Sequence, residues 1–299
     1  MTARHLYFVK GKGVKVSATT SDTLQNAGHQ TLINTHFQSH ATGWRDVYDE
    51  VSVKGMIYRK RLEIVLNWID ELAMPRGERI LEIGCGGGRC SVALAQRSYL
   101  VQAMDSVRGM LNYTGQLADQ AGVSSSVSTS LGDAHNLAFK DGSFGLVLAI
   151  GVIPYLHSPA TALREMARVL KPGGFLLVTA GNRWRLNHIL DPWICPPLQP
   201  AKRAIGAMLR RFRKPRPDHA EPPLRLDSLR EFEGVLASVG FVKIKQRTVG
   251  FLPVTFRGRP IFGERTSISL SNWLESVVDH DVPGIRSTGM DYIVLAEKR

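Results

Sequence analysis

Three cysteines in 299 residues, Cys85, Cys90 and Cys195, are too few for a disulfide framework, and their spacing offers no two-pair zinc site. Reduced thiols inside a fold are what such a count predicts. No stretch reaches 18 uninterrupted apolar residues, so the pattern contains no candidate membrane-spanning helix. The opening MTARHLYFVKGKGVKV lacks the apolar core and small-residue cleavage site of a secretory signal, and the expected location is cytoplasmic. The GxxxxGK[ST] phosphate loop is missing. Acids are scarce as well: 26 Asp and Glu stand against 38 Lys and Arg, a formal net charge of +12. That excess points to an anionic partner such as a nucleic acid, a membrane surface or an acidic substrate. With 43% hydrophobic residues the chain can bury a large core, which excludes disorder for most of it.

Residues 1–42 show no sustained helical period and are rich in Ser, Thr, Asn, Gln and His, which predicts an extended or partly disordered arm. Residues 43–76 read as a helical lid. There Val47, Val51, Ile57, Leu62, Val65, Leu66, Ile69 and Leu72 give a partial helical period, with Gly55 as a break and Pro75-Arg76-Gly77 as its end. From 77 to 182 strand-like and helix-like segments alternate, which predicts a parallel sheet covered by helices on both faces. The strands fall near 79–83, 99–104, 126–130, 144–150 and 174–179, and the helices near 89–97, 107–121 and 159–170. The core resumes over 218–299, with a helix near 227–239, a strand near 241–247, an irregular insertion at 250–288 and a final strand at 292–296. Between the two core parts, residues 183–217 collect nine Lys and Arg against the single acid Asp191. This basic insertion carries a short amphipathic run from Ala201 to Arg213.

The most informative segment is Arg79-Ile80-Leu81-Glu82-Ile83-Gly84-Cys85-Gly86-Gly87-Gly88-Arg89, an apolar strand entering a glycine cluster that opens a helix. Glycines there let backbone approach a ligand closely. A dinucleotide fingerprint would need Gly or Ala at position 89, where Arg stands, which argues against a nicotinamide cofactor. Glu82, two residues before the first glycine, would repel a pyrophosphate and suits a cationic or hydroxyl-rich ligand such as an amino-acid-bearing nucleoside. Asp105 closes the second strand, where a carboxylate can take both hydroxyls of a ribose. Asp133 follows the third strand and is placed to accept from an adenine amino group.

In this combination the chain resembles the class I S-adenosylmethionine-dependent methyltransferases, well over residues 79–180 and loosely elsewhere. LEIGCGGG is similar to the family's first motif, GDAHNLAFKDGSFGLVLAIGVIPYL to the segment from the adenine contact through the fourth strand, and EMARVLKPGGFLLVT to the helix, turn and fifth strand. The resemblance implies an α/β Rossmann-like sheet of seven mostly parallel strands with helices on both faces, an antiparallel last strand and inserted substrate-covering elements. It implies S-adenosyl-L-methionine as cofactor, held by Glu82, Gly84, Cys85, Gly86, Gly88, Asp105, Ser106, Met110, Asp133, Ala134 and Ile150. Gly145 departs from the pattern. Many relatives carry Asp there, so a side-chain contact is absent or replaced.

A sulfonium methyl is already electrophilic, so a base is needed only where the acceptor must lose a proton. His157, beyond the fourth strand, is a candidate, with His135 beside Asp133 and Tyr155 as further candidates. Amine methylation of nucleic acids is disfavoured, because Gly151-Val152-Ile153-Pro154-Tyr155 lacks the polar residue that would hold the amine. Three readings follow: a methyltransferase, with oxygen the expected acceptor atom, for a small molecule, natural product or sugar; the same chemistry on a lipid or lipid-linked acceptor, with 183–217 resting on an anionic membrane surface; and a non-enzymatic binding protein, which intact Glu82, Asp105 and Asp133 oppose. A nucleic-acid partner is disfavoured, since no recognition motif accompanies the charge.

Overall fold

The computed structural model describes residues 20–192, 194–198, 224–251, 253–257, 259–279 and 284–299. Five strands, β1 (Arg79–Ile83), β2 (Leu100–Asp105), β3 (Val127–Leu131), β4 (Phe144–Ala149) and β5 (Leu170–Asn182), pair in parallel in the order 3-2-1-4-5. Crossover helices α4 (Arg89–Gln96), α5 (Arg108–Gln120) and α6 (Pro159–Val169) connect them. With both faces covered, a central strand such as β4 is an unbroken apolar run, buried at every residue. The chain then returns: β7 (Phe241–Val249) lies at the edge, and β10 (Asp291–Lys298) enters antiparallel between it and β5. The order 3-2-1-4-5-10-7 gives the seven strands and antiparallel last strand that the resemblance implied, while two-residue β6 (Leu226–Asp227) extends β5 as an eighth.

Alternate residues of each strand point to opposite faces. On one side Leu81, Ile83 and Val147 pack with Leu163 and Met166 of α6 and with Phe232 and Leu236 of α8 (Leu229–Ser238). On the other, Ile80, Leu146 and Leu148 pack with Leu94 of α4 and with Ile64, Val65 and Ile69 of α3 (Val53–Glu71). Strand order reverses between β1 and β4, and this is where open α/β sheets place a ligand crevice.

Three expectations are corrected. The arm read as extended or partly disordered holds helix α1 (Thr20–Ser39), followed by α2 (Ala41–Asp46), while residues 1–19 lie outside the described residues. Its periodic signal is faint because its residues are mostly polar; tertiary contacts hold it, through buried Ile33 and through Phe37, whose ring meets those of Trp44 and Tyr155. Gly55 is no break: it sits in the first turn of α3, where Ser52 accepts from the Gly55 N–H at 3.0 Å, and a Cβ there would lie 2.4 Å from the Glu50 carbonyl oxygen. The stretch 250–288 is not irregular throughout, since α9 (Glu264–Asp279) follows a small hairpin of β8 (Thr255–Phe256) and β9 (Arg259–Pro260). Of the basic insertion, α7 (Leu186–Leu190) is described, but the amphipathic run Ala201–Arg213 lies outside the described residues. No described helix is long and apolar enough to cross a membrane.

Candidate active site

At the carboxyl end of β1 the chain turns through Gly84 and caps α4 with Gly88, both at positive φ. A Cβ on Gly84 would lie 2.4 Å from Val152 Cγ2, and one on Gly88 2.8 Å from Thr114 Cα, so both positions demand glycine on two counts. Asp105, at the end of β2, is drawn against this loop: its Oδ2 accepts from Gly86 N–H at 3.0 Å and its Oδ1 from Val107 N–H at 2.9 Å. Burial pushes its carboxyl above the usual range, and these backbone donors work against that push.

The loop forms the floor of a cleft of about 1140 Å³, counting its open mouth. Of the residues expected to hold a cofactor, Glu82, Gly84, Cys85, Gly86, Asp105, Ser106, Met110 and Ile150 line it. Gly88 is instead the cap of α4. Ala134 is buried in the core, and Asp133 turns to His135, accepting from its backbone N–H at 2.9 Å and its Nδ1 at 2.7 Å. The roof comes from Ile33 and Phe37 of α1, Trp44 of α2, Tyr48, and Tyr58 and Arg61 of α3. Ser106 Oγ joins floor to roof by donating to Asn34 Oδ1 at 2.9 Å, and His29 Nε2 does so by donating to the Tyr155 carbonyl at 2.9 Å.

Glu82 is 3% exposed and accepts from Ser91 Oγ. Burial pushes its carboxyl up to about 7, with the hydrogen bonds from Ser91 and Cys90 opposing the rise. Burial also pushes the Tyr48 phenol up to about 12, so that side chain stays neutral. The Cys85 and Cys90 thiols are buried and pushed upward, unreactive neighbours of the loop.

A second cavity, about 1250 Å³ counting its mouth, adjoins the first at the carboxyl edge of β4 and β5. Tyr58, Arg61, Gly151 and Tyr155 line both, forming a shared wall. Among the candidate bases, Tyr155 stands on this wall. His135 and His157 line neither cavity: their rings stack at 3.7 Å behind the loop, and Ser158 N–H donates to His135 Nε2 at 3.3 Å, which leaves the His135 proton on Nδ1, toward Asp133. Burial first, and the neighbouring His135 second, lower the His157 pKa. Arg61 was not singled out in the sequence, although a signal exists: it falls on the apolar stripe of α3, four residues after Ile57 and four before Val65.

Residues 81–178, from β1 to β5, match the family model described as the methyltransferase domain. That stretch is a methyltransferase domain by this match, and its fold is that of the class I methyltransferases. Over 161 residues the chain is 34% identical to a ubiquinone biosynthesis O-methyltransferase of Pseudomonas aeruginosa, covering 54% of this chain and 66% of that one. It is also 34% identical over 124 residues to the biotin biosynthesis bifunctional protein BioHC of Teredinibacter turnerae, covering 39% of this chain and 22% of that one. The chain thus spans only part of the length of both curated relatives. Among solved structures, a magnesium protoporphyrin IX methyltransferase from Synechocystis PCC 6803 with bound SAH aligns over 91% of this chain and 100% of that one, with a TM-score of 0.61 and 14% identity, a likeness of fold.

Proposed function

We propose that this chain transfers the methyl group of S-adenosylmethionine to an oxygen of a small-molecule acceptor seated in the second cavity. The observation that carries the reading is the shared wall: a cleft built on Glu82, the glycine loop and Asp105 lies directly against a separate, largely apolar cavity, with Tyr58, Arg61, Gly151 and Tyr155 lining both. The relatives named as ubiquinone O-methyltransferases support oxygen as the acceptor atom.

The cleft residues fit the cofactor. Asp105 is held at the loop where ribose hydroxyls would reach it, the side-chain-free positions Gly84, Gly86 and Gly87 give backbone access, and Glu82 offers a negative charge to the amino-acid portion. The bound cofactor supplies a methyl on a sulfonium centre, electrophilic without further activation. What the chain adds is alignment and exclusion of water: Ile33, Phe37 and Trp44 roof the cleft, and Tyr155 orients the acceptor from the common wall. His135 and His157 brace the Tyr155 loop from behind rather than meeting the acceptor.

The reading is tested by calorimetric titration with S-adenosylhomocysteine. Saturable binding is expected, weakened at least tenfold in Asp105→Ala, with no heat from NADH. A folded protein that binds neither ligand refutes it.

A further inference from the structure

The second cavity carries charges that methyl transfer does not require. Arg61, from α3, and Arg185, just ahead of α7, both line it, together with one carboxylate deep in the wall, Asp291 at the start of β10. Arg61 is 5% exposed. Its one ion pair among the described residues is a long one, 3.5 Å from Nη1 to Asp291 Oδ2, and its Nε is buried without a hydrogen-bond partner. The Tyr58 ring lies 4.2 Å from its Cζ and holds the guanidinium by its face. Arg185 is half-buried, donates its Nε–H to the neutral acceptor His188 Nε2 at 2.8 Å, and makes no ion pair among the described residues.

A buried guanidinium with an open donor is costly unless an anion completes its pairing. Asp291 offsets one of the two cations and leaves the inner end of the cavity with a positive charge. Two further acids, Glu264 and Glu50, and Lys54 also line the cavity, but among the described residues neither acid pairs with Arg61 or Arg185: Glu264 accepts from Val53 N–H at 2.5 Å and Glu50 from Ser52 Oγ at 3.0 Å. The remaining wall is apolar, through Ile57, Leu226, Phe262 and Met290. We infer that Arg61 and Arg185 form an anion subsite in the acceptor cavity, which takes a carboxylate or phosphate group carried on an otherwise apolar acceptor. The inference rests on the acceptor-cavity reading above. The cofactor's own carboxylate is a second source of the same chemistry, but Arg185 lines the acceptor cavity and not the cofactor cleft.

The test uses the full chain saturated with S-adenosylhomocysteine and three probes of similar size: benzoate, phenyl phosphate and benzyl alcohol. Calorimetry is expected to show at least one of the two anions binding tenfold or more tightly than the alcohol. In Arg185→Ala that preference is expected to vanish, while alcohol binding and S-adenosylhomocysteine affinity stay within about twofold of the parent. Should burial make Arg61 variants fold poorly, the Nε–H resonance of Arg61 in the parent protein provides a second readout, expected to move on addition of the anion and to stay in place with the alcohol. Equal binding of all probes overturns the subsite and leaves the methyltransferase reading intact. So does anion binding that survives Arg185→Ala. A loss of S-adenosylhomocysteine affinity in Arg185→Ala assigns the guanidinium to the cofactor carboxylate and likewise overturns the inference. No binding of any probe overturns the acceptor cavity with it, whereas failure of S-adenosylhomocysteine itself to bind refutes the function proposed for the chain.

Discussion

Glu82 concentrates the conflict between stability and binding in one side chain. Its carboxyl titrates at about 7 in the folded chain against an ordinary 4.5, because burial opposes the charge. Between those values the folded state holds a proton that the unfolded state has released, so stability falls as pH rises from about 4.5 to about 7 and stays lower above it. The full deficit is on the order of 3 kcal/mol. Glu82→Gln is therefore expected to raise the melting temperature of the ligand-free protein at pH 8 and to leave it nearly unchanged at pH 4.5. A ligand bearing an ammonium group favours the ionised carboxylate, so S-adenosylhomocysteine affinity is expected to weaken by up to about tenfold per pH unit below about 7 in the parent protein. In the Gln variant that pH dependence should flatten at a weaker affinity, and a pH profile unchanged by the substitution would remove Glu82 from ligand binding. Gly145 shows how a missing side chain is replaced. Its N–H donates to Glu78, a Cβ on it would lie 2.6 Å from Glu78 Cδ, and Glu78 pairs with Lys171 at 2.7 Å, so a carboxylate from β1's lead-in fills the space that an Asp at 145 would need.

Among the elements, α1 ties the cofactor cleft to the amino-terminal segment. Phe37 stands edge-on to Tyr155 at 5.0 Å and tilted against Trp44 at 5.3 Å, so one ring links the lid to the wall shared by both cavities. Aromatic pairs of this kind contribute about 0.5–1.5 kcal/mol each beyond area burial. Phe37→Ala is expected to speed S-adenosylhomocysteine dissociation by about tenfold with little change in far-ultraviolet circular dichroism; an unchanged off-rate would mean that α1 does not gate the cleft. That helix was not legible in the sequence, because the rings that Phe37 meets, Trp44 and Tyr155, lie outside it and its own sequence is mostly Thr, Ser, Asn, Gln and His. The helix α9 hid for a related reason: its apolar positions Leu270, Leu274 and Val278 recur every four residues, but Ser271, Asn272 and Ser276 between them read as loop. By contrast β1 to β4 were legible to within a residue at each end, and β5 in its middle, read as 174–179 within Leu170–Asn182; buried strands such as β1 and β4 need apolar runs, and β1 and β2 run into the Gly and Asp of the crevice, whereas β3 is polar and mostly exposed. The floor of the site was legible for the same reason; of its roof, the lid read over 43–76 supplies Trp44, Tyr48, Tyr58 and Arg61, but Ile33 and Phe37 of α1 were not legible, since they are specified by what they cover rather than by a local motif.

At the scale of the whole molecule, the last strand binds the two halves of the chain together. β10 lies between β5 and β7, and its residues Tyr292 to Ala296 are all buried. Ile293 packs in one cluster with Leu148 of β4, Leu177 of β5, Val249 of β7 and Ile64 of α3, so a single core spans residues far apart in sequence. Such a core should unfold in one cooperative step. Ile293→Ala is expected to cost about 2–5 kcal/mol of stability while leaving one thermal transition. Because Ile293 lines neither cavity, the intrinsic S-adenosylhomocysteine affinity of the folded variant should match the parent. Ligand at a hundred times its dissociation constant then restores about 2.7 kcal/mol, since it binds the folded chain alone. Calorimetric scans of both proteins with and without ligand check all three points. Two transitions in the variant, with only the earlier-melting one insensitive to ligand, would mean that β7 and β10 form a unit separable from the cofactor-binding strands, and that the sheet's continuity does not make its stability continuous.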